Sequence, residues 1–296
     1  GGYEIHNLRS EVISTGEAYS GLFGAIYQAQ VTRVVLAEDC EIRTSYYGGG
    51  VVAYTQKSEI VSCENRASVS FEGPAGYVGG IAGYVVSTSS IDRCENLGIV
   101  TGTVQPSDNY ASCLVYAGGI AGVNQESAII NSSNHAVVAV EALPEYDSCA
   151  GGIVGYNSGS STFIANCYNV AGVQLSGSGF AGGILSYTDN ADIRVANCYN
   201  IGTVSGVPGK SYPVVPILSA DSEDCYYLMN CVEGEGSYAG TALTVDYMKS
   251  TAFAARLNDW SKTNNSSETG WQTLYWKIED AENDGYPVFT DQDPGY

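Results

Sequence analysis

The chain has 296 residues, room for one large domain or two ordinary ones, and no apolar run reaches the ~18 residues of a membrane span. Hydrophobic residues make up 44% and charged residues only 15%, while 36 Gly and 23 Tyr stand against 2 Met and 2 His, a profile of short strands and tight turns rather than helices. A formal net charge of -20 argues against nucleic acid and anionic membranes as partners, because a phosphate backbone needs clustered Lys and Arg.

The opening Gly1-Gly2 reads as a truncation point rather than a native start, which is compatible with a signal peptide removed upstream. From Ala18 onward one octet recurs. AYSGLFGA is followed by YGGGVVAY from Tyr47, YVGGIAGY from Tyr77, YAGGIAGV from Tyr116, CAGGIVGY from Cys149 and FAGGILSY from Phe180. The steps between starts are 29, 30, 39, 33 and 31 residues, a period that marks a solenoid.

Each octet from Tyr47 on is followed by an Ile-led stretch (Ile60, Ile91, Ile129, Ile164) and a second block. The blocks are CENRASV from Cys63, CENLGIV from Cys94, SSNHAVV from Ser132, CYNVAGV from Cys167 and CYNIGTV from Cys198. Alternate positions are nearly constant. They are Cys or Ser, then Asn65, Asn96, Asn134, Asn169 and Asn200, then a small residue, then Val69, Val100, Val138, Val173 and Val204. The positions between them vary, as in a strand with one buried face.

Three strands per turn, stacked turn on turn, predict an all-β parallel β-helix of about six coils over residues 1–232. The glycine pairs are expected at a corner, where positive φ or close backbone approach requires them. The asparagines are expected to form a structural ladder, each amide bonding to the coil beside it. Directly stacked cysteines lie ~4.8 Å apart and fit disulfide geometry poorly, so free buried thiols are expected; whether Cys225 and Cys231 pair is left open. No C-x-x-C occurs, and only His6 and His135 could join a metal site, so no metal and no cofactor is expected.

Two connections from the Val column to the next octet are long. Fifteen residues follow Val100 and ten follow Val138, against seven after Val69 and six after Val173. Leaving the same corner of adjacent coils, they predict one protrusion and a candidate binding face at Asp108, Tyr110, Glu141, Glu145, Tyr146 and Asp147. Columns of Tyr54, Tyr84, Tyr156 and Tyr187, and of outward Tyr168 and Tyr199, are read as stabilising stacks rather than sugar platforms. Glu64 and Glu95 are the only acids stacked at outward positions of neighbouring coils, with Arg66 and Arg93 placed to neutralise them.

Residues 233–296 are read as a C-terminal cap. Asp246 is the expected N-cap of a helix over about 246–260, with Phe253, Leu257 and Trp260 on the face that covers the open end of the solenoid. Trp271–Ile278 and Tyr286–Phe289 are expected to pair as strands. Asp280, Glu282, Asp284, Gly285 and Asp291 match the oxygen spacing of a calcium loop, but Pro287 and the Asp at position 12 favour an ordinary turn.

The octets, the GLFG copy at Gly21–Gly24 and the blocks Ile164–Val173 and Val195–Val204 resemble the GLUG repeat, over roughly residues 15–230. That repeat occurs in surface and secreted proteins of gut and oral bacteria, including the non-catalytic part of immunoglobulin A metalloproteases. The tail, with DCYYL at Asp224–Leu228 and NDGYPVF at Asn283–Phe289, is similar to those closing such arrays. The resemblance implies a right-handed β-helix at a cell surface or secreted, and no catalytic residues; the His-Glu-x-x-His motif of those proteases is absent. The expected function is a non-catalytic, adhesin-like scaffold, monomeric, that binds glycan or host protein. The alternative is a polysaccharide-degrading β-helix lyase or hydrolase, which needs paired carboxylates or a calcium site with a basic residue.

Overall fold

The computed structural model describes residues 4–12, 17–190, 193–216, 221–233, 238–265, 272–279, 281 and 283–295. All but one of its sheets are parallel and run along a single stack. Five faces follow one another around each coil, as in the turn built from Tyr47–Gly49, Val52–Gln56, Glu59–Val61, Glu64–Asn65 and Ser68–Gly73. The corresponding sheets hold seven, six, seven, nine and seven strands, so the solenoid makes about seven turns rather than six.

Five segments per turn, where three were expected, follow from two bends inside the sequence blocks. The glycine pair splits each octet, and the asparagine splits the second block. Asn134 shows how: its Nδ2 donates to the Ala136 carbonyl at 2.8 Å, holding the chain where the strand breaks. The same amide donates to Asn169 Oδ1 at 2.7 Å and Asn134 Oδ1 accepts from Asn96 at 2.8 Å. Asn65 to Asn96 and Asn169 to Asn200 complete the ladder at 2.9 and 2.8 Å. All five asparagines are fully buried, so the ladder satisfies groups that would otherwise be orphaned.

Close approach, not positive φ, explains the glycine pairs. Gly118 and Gly119 are not among the positive-φ residues. A Cβ on Gly118 would lie 2.0 Å from the Ala121 carbonyl oxygen, and one on Gly119 would lie 2.1 Å from that of Gly152 and 2.3 Å from Asn134 Cγ. The corner is packed against the asparagine ladder, which leaves no room for a methyl group.

Inside, Ile60, Ile91, Ile120, Ile129 and Ile153 fill one core cluster with Cys63, Cys94, Cys167, Cys198 and Cys225, and Val69, Val100, Val138 and Val173 fill a second. Each fully buried side chain contributes about 1.5–3 kcal/mol. All nine cysteines are buried and free, Cys225 and Cys231 among them. They do more than fill space. Cys63 N donates to Cys94 Sγ and Cys167 N to Cys198 Sγ, both at 3.4 Å, and Ser132 Oγ takes the same role for Cys94 N at 3.1 Å.

The C-terminal segment contains α1 (Val245–Met248) and α2 (Thr251–Asn264), then Tyr275–Lys277 paired antiparallel with Val288–Thr290. The strand pair was expected, although residue 271 lies outside the described residues. The helix N-cap differs. Ser250, not Asp246, caps the main helix, its side chain accepting from Phe253 N; Asp246 sits in the first turn of α1.

The docking site differs as well. Phe253, Leu257 and Trp276 pack on Tyr168, Tyr199 and Tyr226, which point out of the solenoid wall, so the segment covers a flank of the last coils. Beside these rings runs a second ladder unseen in the sequence, Asn131, Asn166 and Asn197, each at a left-handed turn with φ of 49–53°. Asn166 and Asn197 donate to the Oδ1 of the preceding member at 2.8 and 2.7 Å. The tail reads this ladder directly. Leu274 N donates to Asn131, Trp276 Nε1 donates to Asn166, and Asn197 donates to the Leu257 carbonyl. Earlier coils carry Arg33, Ser62 and Arg93 at the same turn and are not covered in this way.

Candidate functional site

The protruding connections do not present an interleaved aromatic and acidic surface. Tyr110 and Tyr146 turn inward and pack, half-buried, against the valine cluster with Ala142 and Leu143. Asp108 and Glu145 stay exposed. Asp147 is engaged by Ser178 Oγ at 2.5 Å and Lys210 Nζ at 2.8 Å, and those bonds hold its carboxyl below the usual range. Apolar halves anchor these loops; acidic halves face water.

Glu141 ends the strand Val138–Glu141 and belongs to the sheet rather than the loop. Register places Glu72, Thr103, Glu141 and Ser176 in one outward column and Glu11, Arg43, Ser70 and Thr101 in the next. The two columns form a polar face beside the loops, with a groove of about 630 Å³ lined by Arg43, Ser70, Glu72, Thr101, Thr103 and Gln105. Gln105 Nε2 donates to Glu72 at 3.1 Å, and Arg43 pairs with Glu41 at 2.6 Å. Hydroxyls, amides and carboxylates repeating every ~4.8 Å along a flat sheet match the hydrogen-bonding needs of a polyhydroxylated chain.

The tyrosine columns are wider than the sequence suggested. Tyr54, Tyr84, Tyr156 and Tyr187 face a second column of Tyr19, Tyr47, Tyr77 and Tyr116 across the glycine corner, with Tyr77 and Tyr84 at 5.2 Å. Along the axis the rings stack, Tyr54 on Tyr84 at 5.7 Å and 3° and Tyr19 on Tyr47 at 4.9 Å and 15°. The rings spend much of their surface on one another, although Val123 interrupts the first column between Tyr84 and Tyr156, and that leaves less of each face for a sugar. Burial pushes the Tyr77 phenol up to about 12, so the strip stays uncharged. Tyr168 and Tyr199 also stack, at 5.0 Å, but lie beneath the tail rather than facing solvent.

Glu64 and Glu95 are in register on neighbouring coils. Arg66 pairs with Glu64 and, at 2.7 Å, with Glu4, whereas Arg93 pairs with Asp92 at 3.3 Å and Glu95 meets His135 at 3.1 Å. Ser133, His135 and Glu95 thus meet on the outside wall. They do not form a nucleophilic relay, which needs the acid on one ring nitrogen and the hydroxyl on the other. Here Glu95, Ser133 Oγ and Tyr168 OH all approach Nε2 of His135. Burial pulls this imidazole down to about 4. Among the described residues, Asp92 is the carboxyl that burial lifts, and Asn131 donates to it at 2.7 Å.

With about seven in-register turns in view, the comparison of solved structures becomes informative. A crystal structure of a candidate immunoglobulin A1 protease from Bacteroides ovatus matches with a TM-score of 0.55 and 19% identity, over 98% of this chain and 76% of that one. The chain is a β-helix repeat protein. No protein-family model and no curated protein matches it.

In this β-helix protein no group of three or more His, Cys, Asp or Glu side chains converges as a metal site among the described residues. Of the calcium-like spacing, Asp280 and Glu282 lie outside the described residues; Asp284 pairs with Lys249 at 2.7 Å. No described helix is long and apolar enough to cross a membrane.

Proposed function

We propose that the protein is a GLUG-type repeat module, secreted or displayed at a bacterial surface, that acts as a stiff, non-catalytic scaffold with adhesin-like binding of glycan or a host glycoprotein. The observation that carries this reading is the polar face of the solenoid. Its outward columns hold Ser, Thr, Gln, Glu and Arg in register over successive coils, beside two loops anchored by Tyr110 and Tyr146. Such a face offers repeated weak hydrogen bonds to an extended hydroxylated ligand, and its affinity grows with the number of coils engaged. The inner asparagine ladder of the same coils keeps the spacing fixed, which limits the ordering cost of binding.

The description of the Bacteroides ovatus protein as a candidate immunoglobulin A1 protease fits a role for such solenoids in engaging host glycoproteins. A charge of -20 favours neutral ligands over polyanions, and a monomer is the expected state. A glycan array at physiological and low salt, run beside a reducing-end assay on pectin and mucin glycans, tests the proposal. Binding without released sugar supports it. Turnover would instead favour a polysaccharide-degrading enzyme, and silence on the array in both salts would overturn the binding role.

A further inference from the structure

The double column of tyrosines carries a chemistry that its part in holding the coils together does not use. Tyr19, Tyr47, Tyr77, Tyr116, Tyr156 and Tyr187 follow one another along the axis with centroids 4.9, 5.3, 5.8, 4.7 and 5.9 Å apart. Tyr116 thereby bridges the gap that Val123 leaves in the other column. Such spacings are ordinary aromatic contacts, close enough for an electron vacancy to pass from ring to ring. Most of these rings are half-buried, so their edges meet solvent while their faces meet one another.

A phenol that loses an electron must also lose its proton, and the strip provides acceptors at two places. Tyr19 OH donates to Glu17 Oε2 at 2.9 Å, and Tyr156 OH donates to Asp189 Oδ2 at 2.7 Å. Burial first, then the Glu17 bond, lifts the Tyr19 phenol to about 12, and burial with the Asp189 bond raises Tyr156 as well. Neither ring is a phenolate at neutral pH, so electron and proton leave together and a base in contact matters. The same two tyrosines belong to the two closest stacked tyrosine pairs. Tyr19 lies on Tyr47 at 4.9 Å and 15°, and Tyr116 lies on Tyr156 at 4.7 Å and 28°. Stacking of this kind holds the ortho carbons of neighbouring coils over one another.

We propose that this strip is an oxidative cross-linking site, where a one-electron oxidant joins Tyr19 to Tyr47 and Tyr116 to Tyr156 through ortho–ortho carbon bonds. In each pair both rings give one electron to the oxidant and one phenolic proton to the adjacent carboxylate or to water. The two radicals then form one carbon–carbon bond, and the displaced ring hydrogens move to the oxygens, which restores both phenols. With hydrogen peroxide as the terminal oxidant, the two electrons and two protons leave as two waters. The product is a covalent staple between neighbouring coils, a property independent of glycan binding.

The folded protein is treated with hydrogen peroxide and a haem peroxidase at neutral pH, and the monomer fraction is read by dityrosine fluorescence and peptide mapping. Each link should remove two hydrogens and join Tyr19 to Tyr47 or Tyr116 to Tyr156. The urea midpoint should rise, because a closed chain segment restricts the unfolded state. Tyr168 and Tyr199 stack at 5.0 Å but are buried beneath the tail, so they should stay unlinked. Glu17 and Asp189 are exposed, and replacing either with its amide should leave the fold intact. Glu17→Gln should slow the first link about tenfold, less than the usual worth of a positioned base because water replaces part of it, and leave the second link unchanged. Asp189→Asn should do the reverse. The proposal is overturned if the monomer fraction holds no dityrosine, or if the links map to the exposed Tyr27 and Tyr247. It is equally overturned if Cys149, in register with Tyr116, takes up oxygen instead, if Tyr168 and Tyr199 link as readily, or if both variants link like the wild type.

Discussion

Replacing Asn134 with Ala removes the middle rung of the inner ladder. Four hydrogen bonds go with it: the donations to Ala136 O at 2.8 Å and Asn169 Oδ1 at 2.7 Å, and the acceptances from Asn96 Nδ2 at 2.8 Å and Ala136 N at 3.4 Å. Asn96 keeps its bond to Gly98 O, but one of its amide hydrogens, Asn169 Oδ1 and both polar groups of Ala136 lose a partner inside the core. At about 1–3 kcal/mol per buried orphan, with one water entering to recover part of the loss, the cost is about 3–5 kcal/mol. Urea denaturation measures it as a fall in midpoint, with the exposed Asn109→Ala as control. A double-mutant cycle sharpens the result. Asn96 and Asn134 touch and should couple by more than about 1 kcal/mol, whereas Asn96 and Asn200, three rungs or ~14 Å apart, should be additive. A loss no larger than that of Asn109→Ala, or equal coupling for both pairs, would refute the ladder as a structural element.

Three further outcomes are expected. Gly119→Ala forces a Cβ to 2.1 Å from the Gly152 carbonyl oxygen, so it should destabilise by at least about 2–3 kcal/mol, whereas Gly209→Ala, with nothing within 4 Å but a φ of 80°, should cost about 1 kcal/mol by the same denaturation assay. Asn166→Ala unpairs Trp276 Nε1 and leaves the Leu274 carbonyl with Ser261 Oγ alone, so the tail should loosen before the coils do, seen as a red-shifted tryptophan emission preceding loss of β-sheet circular dichroism. His135 has a folded pKa pulled below the unfolded value of about 6.5, to about 4; the stability it permits is therefore complete above pH ~6.5 and falls as pH drops toward 4, by about 2–3 kcal/mol. His135→Gln should flatten that slope in urea midpoints taken across this range, and an unchanged slope would contradict the assignment.

The stacked architecture was legible because one chain contains its own comparison. Asn65, Asn96, Asn134, Asn169 and Asn200 recur without exception at period two from Val69 and its counterparts, and such constancy at buried positions leaves few folds open. The two bends per block were not legible, since a hydrogen bond from Asn134 to Ala136 O leaves no periodic trace. The flank docking of the tail was written in the sequence but misread. Coils beneath the tail carry Asn at the left-handed turn and Tyr two residues on, as in Asn166-Cys167-Tyr168 and Asn197-Cys198-Tyr199, where uncovered coils carry Arg93-Cys94-Glu95. Read only as an outward stabilising stack, those rings do stack, but they also form the surface on which the tail docks. The half-burial of the loop tyrosines was not legible either. In the turn Glu145-Tyr146-Asp147 the ring packs on the valine cluster while the acids on either side face water, and no strand periodicity announces it.

Side-chain amide hydrogen exchange of the five ladder asparagines, followed by NMR, bears most directly on the stacked register. Buried and bonded rung to rung at 2.7–2.9 Å, the Nδ2 groups of Asn65, Asn96, Asn134 and Asn169 should exchange only on global opening, as slowly as the backbone amides of Val100 and Val138. Exchange at the rate of exposed Asn109 would mean that the rungs do not touch.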